Sequence, residues 1–145
     1  MRRALALLGA MALATQLSAC QGYLFRQSDR LTITSPANHA TVHEPLTITW
    51  QAHEFSAPQD GRFAVFVDRD PMSPGDNLST FARTDRDGIY VLDTTSLHID
   101  VLSPLSGVDP AEQNHHDVTV VLLDTQGNRM GEYAGFAEFN VEQST

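Results

Sequence analysis

Six histidines and a set of closely spaced aspartates are the side chains of this 145-residue chain best suited to chemistry. Neutral imidazole is a ligand for Zn2+ and Cu2+. Four of the six fall in two close pairs, His39 with His43 and His115 beside His116. The aspartates group as Asp68-Arg69-Asp70 with Asp76, and as Asp85-Arg86-Asp87-Gly88. Both hint at calcium loops, but neither has the full ligand spacing of one. Asp-x-Asp-Gly is also ordinary turn chemistry, and turns are the expectation adopted here. Gly-x-Ser-x-Gly, a phosphate loop, a dinucleotide fingerprint and His-Glu-x-x-His are all missing, so neither catalysis nor a cofactor is expected. A sugar platform would need exposed aromatics. The only tryptophan, Trp50, alternates into a core, which leaves Tyr90 and Tyr133 free to be exposed. Cys20 is the single cysteine and can close no internal disulfide.

Cys20 ends a patterned start. Met1-Arg2-Arg3 is basic, Ala4 to Leu17 is uncharged and rich in Ala and Leu, and small residues follow. This is the order of a secretory signal, and the apolar run is shorter than the ~20 residues that span a bilayer. Leu17-Ser18-Ala19-Cys20 resembles the lipobox of bacterial lipoproteins at every position. The resemblance implies cleavage after Ala19 and acylation of the Cys20 sulfur by palmitate-like chains. Residues 1–19 are then a lipoprotein signal peptide and residues 20–30 a lipidated tether. Each buried methylene contributes ~0.8 kcal/mol, so two or three acyl chains anchor where one does not. The surroundings of Arg2-Arg3 do not resemble a twin-arginine motif. Gln21, where a retained enterobacterial lipoprotein has Asp, implies the outer membrane if the cell has one. Otherwise the chain is expected on the outer face of the cytoplasmic membrane.

Without residues 1–19, seven arginines and no lysine face 18 acidic residues, a formal charge of −11. Nucleic acid is excluded as a partner, because phosphate contacts need basic clusters. Charge-driven attachment to anionic lipid is excluded for the same reason, so membrane contact is expected through the lipid on Cys20. A strongly acidic surface favours a soluble, non-sticking monomer.

The candidate ligands must be positioned by strands, since no long stretch after residue 20 has helical periodicity. Leu31 to Thr34 is a short strand stopped by Ser35-Pro36-Ala37-Asn38. Leu46 to Trp50 alternates Leu, Ile and Trp against Thr, the mark of a half-buried strand. Arg62 to Asp68 is apolar on both parities and is expected to be central and covered on both sides, or near the tether. Asp68 to Asn77 is a stiff loop and Leu78 to Arg83 a short edge strand. Further strands are expected at Ile89–Leu92, Leu97–Leu102, Val118–Leu123 and Tyr133–Val141, with a turn at Thr125–Asn128 capped by Asp124. Phe136 is out of step with Phe139 and Val141, so a bulge near Gly135 is expected to turn it inward. Short strands with Pro and Gly turns in residues 31–143 argue for an all-β sandwich.

Two stretches resemble the immunoglobulin-like and fibronectin type III-like modules of bacterial surface proteins. One is Ile33-Thr-Ser-Pro36-Ala-Asn-His-Ala-Thr-Val42 with Leu46-Thr-Ile-Thr-Trp50. The other is His116-Asp-Val118-Thr-Val120 through Asp124-Thr-Gln-Gly127-Asn128. The resemblance implies a single immunoglobulin-like β-sandwich of about seven strands. In that topology the connections carrying His39, His43, His115 and His116 share one pole and can hold Zn or Cu, with His53 and His98 at the opposite pole. The same resemblance gives His116 a structural alternative, a side chain bonded back to a loop corner. The expected function is a membrane-anchored cell-envelope lipoprotein that binds or scaffolds an envelope protein or glycan without catalysis. A metal-binding lipoprotein and an enzyme of unrecognised type are the alternatives.

Overall fold

The computed structural model describes residues 26–27, 29–82 and 87–142. Cys20, the whole signal stretch and Asp85 lie outside them. Among the described residues no helix is long and apolar enough to cross a membrane.

The chain folds as a two-sheet β-sandwich. Its strands are β1 (Arg26–Gln27), β2 (Leu31–Ser35), β3 (Ala40–His43), β4 (Leu46–Ala52), β5 (Arg62–Val67), β6 (Ile89–Leu92), β7 (Ser96–Ile99), β8 (His115–Leu123) and β9 (Arg129–Glu142). The smaller sheet runs β2-β4-β7 and the larger β6-β5-β8-β9, with β1 and β3 both parallel to β9. This is the strand order of an immunoglobulin-like sandwich. The period-two pattern of β4 sets its register: Leu46, Ile48 and Trp50 are buried, and the alternating residues face out. They meet Phe63, Val65 and Val67 of β5 and Val118, Val120 and Leu122 of β8 between the sheets. Trp50 and Phe55 both stand edge-on to Phe63, with centroids 5.5 and 5.2 Å away, a geometry that suits the ring quadrupoles.

The first strand is split between the sheets. β2 pairs with β4, and the chain then crosses at Pro36–His39 so that β3 can pair with β9. The sequence expectation had no strand at Ala40–His43. Gly135 lets β2 approach β9 closely: a Cβ there would sit 3.3 Å from the Leu31 carbonyl and from the Ile33 side chain. Arg26–Gln27, expected in the tether, instead adds to the edge of β9 beside Tyr133–Ala134.

β5 is covered on both sides, as its two apolar parities require. Its second cover is its own downstream connection. Met72, Leu78 and Phe81 pack on Ala64, Phe66, Val121, Leu123 and Ala134 on the outer face of the larger sheet. The expected edge strand at Leu78 is a single helical turn, α1 (Leu78–Phe81). Asn77 caps it by accepting from the Ser79 N–H, and also donates to the Gln126 carbonyl and the Asn128 side chain. Arg129 is 2% exposed, and its guanidinium donates to the Met72 and Glu132 carbonyls. Burial pulls its pKa down to about 10.

The irregularity expected near Gly135 is present, on the Ala134 side, but it does not turn Phe136 inward. Pairing is regular from Asn140 back to Ala134, and the register shifts between there and Arg129. Phe136 therefore stays on the outer face opposite Thr119. The Asp124 cap forms as expected: its carboxylate accepts from the Gln126 and Asn128 N–H groups, both at 2.9 Å. A third bond, from the Asn128 side chain, does most to hold its pKa below the usual carboxylate range, and the backbone bonds add to it.

Candidate functional site: the histidine-bearing end of the larger sheet

The residues that could do chemistry gather where β5 ends, β8 begins and β9 ends. Strand alternation sorts them. His115 and His116 are neighbours in β8, so one must face out and the other in. His116 faces in. It is fully buried, stacks on Phe139 with centroids 6.1 Å apart, and its Nδ1 lies 2.8 Å from Asp68 Oδ2. The other Asp68 oxygen accepts from the Asp117 N–H at 3.1 Å. Asp68 adopts a left-handed backbone, φ 54°, which aspartate tolerates better than most residues. That turn aims its carboxylate back over the start of β8. His116 is thus structural, but its bond crosses to Asp68 at the end of β5 and does not return to a corner of the loop before β8. Its Nε2 has no protein partner.

His115 faces out, and the parallel register of β3 on β9 brings two more imidazoles beside it. Thr41 lies opposite Asn140 and His43 opposite Glu142, while Asp117 and His115 of β8 lie opposite Glu138 and Asn140. Glu138 sits between two histidines: His39 Nδ1 is 3.6 Å and His115 Nε2 3.9 Å from its Oε2. His43 Nε2 is 3.6 Å from Glu142 Oε2, and His115 Nδ1 is 3.3 Å from Asn140 Oδ1. His39 is fastened by its backbone, donating to the Glu138 carbonyl, while Asn38 Oδ1 accepts from the Glu138 N–H. Burial raises Asp117 to about pKa 6, reinforced by Asp68, Glu138 and Asp70 and opposed by His115.

Three of the four expected histidines therefore share one outward face, and His116 points away from it into the core. The four-imidazole pole is corrected to that extent. Among the described residues no group of three or more His, Cys, Asp or Glu side chains stands in a metal-holding arrangement. His98 is also displaced from expectation. It pairs with Thr47 at the start of β4, at the same end of the sandwich but on the outside of the other sheet, bonded to Thr47 and Asp100. Asp76 accepts from the Ser73 N–H, the turn chemistry expected of it. Glu138 and Asn140 went unread in the sequence. The signal was there: they alternate with Phe139 and Val141 along one strand.

Beside Asp68 lies an open cleft of about 690 Å³ lined by Asp68, Arg69, Asp87, Tyr90, Val101 and Ser103, among others. Tyr90 and Val101 are two of the few large apolar side chains that are exposed. Arg69 is held by the Asp87 carbonyl and stands 5.8 Å over the Phe81 ring. The cleft is within the size range of ligand sites.

No protein-family model and no curated protein matches the chain. Among solved structures it is similar to the fibronectin(III)-like modules of CbhA from Clostridium thermocellum. The identity is 14% and the TM-score 0.45, covering 79% of this chain and 99% of that one. A likeness at this level concerns general architecture alone.

Proposed function

We propose that this chain is a lipid-anchored, non-catalytic binding or scaffolding module of the cell envelope. The observation that carries the proposal is the Leu17-Ser18-Ala19-Cys20 motif standing six residues ahead of the first sheet pairing at Arg26. Extended chain reaches at most ~3.6 Å per residue, so the sandwich would be held within roughly 22 Å of an acyl-cysteine. Gln21 favours the outer membrane where the cell has one. Recognition of an envelope protein or glycan falls to the cleft beside Asp68 and Tyr90, a concave surface among the described residues on which exposed apolar and charged groups meet.

The test is Cys20→Ala. The variant is expected to remain folded by circular dichroism and to move from the membrane fraction to the soluble one. Mass spectrometry of the native N-terminal peptide is expected to show acyl chains on the Cys20 sulfur. A bare sulfur, or a Cys20→Ala variant that still sediments with membranes, sinks the anchor.

A further inference from the structure

The cleft beside Asp68 opens on a bare sheet edge, and the two together define an occupant. We propose, building on the binding role given to this cleft above, that it takes an extended cationic peptide, which adds a strand to the free edge of β6.

β6 ends the larger sheet, and no strand among the described residues pairs with its other side. The hydrogen-bond phase of the ladder fixes what that side offers. Val67 N–H donates to the Gly88 carbonyl, while Asp68 N–H donates on the opposite flank to the Asp117 carbonyl. Odd-numbered residues of β5 therefore bond to β6 and even-numbered ones to β8. Val65 lies opposite Tyr90 and Phe63 opposite Leu92, so Tyr90 and Leu92 direct their main-chain groups at β5. Ile89 and Val91 lie opposite Phe66 and Ala64, and their N–H and C=O groups point outward from the edge. Such a row is a template for another strand unless charge, proline or a bulge blunts it. Ile89-Tyr-Val-Leu92 has none of these.

The cleft gives the added strand's side chains a place. Tyr90 shares the inner face of the sheet with Val65, yet it is 37% exposed. The chain just after β7, Val101 to Ser103, completes the lining, and Val101 is 68% exposed. A strand laid on β6 would direct alternate side chains into this space. Charge selects the peptide. Asp68 and Asp87 line the cleft, and its arginine, Arg69, is engaged by the Asp87 carbonyl and the Phe81 ring. Burial first, then Asp68, Glu138 and Asp70, raise the neighbouring Asp117, a sign of the negative field at this corner. Lysine and arginine side chains are drawn to that field, whereas a second copy of this lysine-free, acidic chain is repelled. A glycan would use the Tyr90 ring but not a row of N–H and C=O groups at strand spacing.

The probe is a short, labelled, alternating lysine–valine peptide titrated into the full chain carrying Cys20→Ala. Fluorescence anisotropy should show one saturable site, weakened by about tenfold or more between about 0.1 and 1 M NaCl. The peptide should slow amide exchange at Ile89 and Val91 but not at Tyr90 and Leu92, whose N–H groups are already bonded. Tyr90→Ala and Val91→Pro should each weaken binding by roughly tenfold. Proline at Val91 removes only a donor that β5 does not use, so circular dichroism should be unchanged. Tyr133→Ala, on β9, should leave affinity within about twofold. Binding that is lost with Tyr90→Ala but leaves Ile89 and Val91 exchange unchanged overturns strand addition and keeps the cleft. An N-acetylglucosamine oligomer that shifts the Tyr90 signals where the peptide does not has the same meaning. Absence of saturable peptide binding up to about 1 mM, or equal binding of a glutamate–valine peptide, overturns the proposal. So does slowed exchange at Ile89 and Val91 that grows with protein concentration alone, which would make a second copy the occupant. Peptide binding indifferent to Tyr90→Ala overturns the proposal and the cleft's role with it.

Discussion

Asp117 shows how one residue's place in a ladder sets its chemistry. Its half-buried carboxyl lies among Asp68, Asp70 and Glu138, and its pKa rises from 3.8 to about 6. The folded state therefore takes up this proton before the unfolded chain does. Stability falls as pH rises from about 4 through about 6, and the loss is complete above that. Asp117→Asn removes the penalty. In metal-free buffer urea unfolding should show the variant more stable at about pH 7.5, with the difference closing toward pH 4. Solvent screens a half-buried group, so the gain expected is about 1 kcal/mol. The histidines carry the same lesson for reading a sequence. The pairs were visible, and so was the all-β frame that brings them to one end. The opposed directions of His115 and His116 follow from strand alternation alone. What composition and spacing could not supply was the partner of each: Asp68 is 48 residues from His116 and reaches it only by a left-handed turn.

At the scale of the elements, the connection from Asp68 to Ala82 behaves as a third layer over part of the larger sheet. Phe66 of β5 and Phe81 of α1 meet edge-on with centroids 5.9 Å apart, and Met72 beneath them is fully buried. Phe81→Ala should lift this layer while the sandwich stays intact. Peroxide should then oxidise Met72 faster by mass spectrometry, with global stability lower by about 2 kcal/mol. The apolar parities of Arg62–Val67 announced that something covers both faces. The covering element itself was not legible, because one helical turn is too short to show a 3.6-residue period. β3 was missed for a related reason. Ala40-Thr-Val-His43 is four residues at an edge, half-exposed, and its identity as a strand depends on β9, nearly a hundred residues away.

For the molecule as a whole, charge and anchor act on different axes. An acidic surface without lysine gains nothing from anionic headgroups. If membrane attachment is through acyl chains, a 1 M NaCl wash should leave the native chain in the membrane pellet. Salt at that strength shrinks the Debye length to about 3 Å and would strip a charge-bound protein.

The direction of β1 carries one more implication. It runs alongside β9 and touches it at Tyr133–Ala134, while Glu138 and Glu142 lie five and nine residues further along the same strand. At ~3.4 Å per residue, that is roughly 17 to 30 Å. If the chain is anchored ahead of Arg26, its imidazole rows lie at the end of β9 remote from the attachment point, and the anchor leaves them open to a partner.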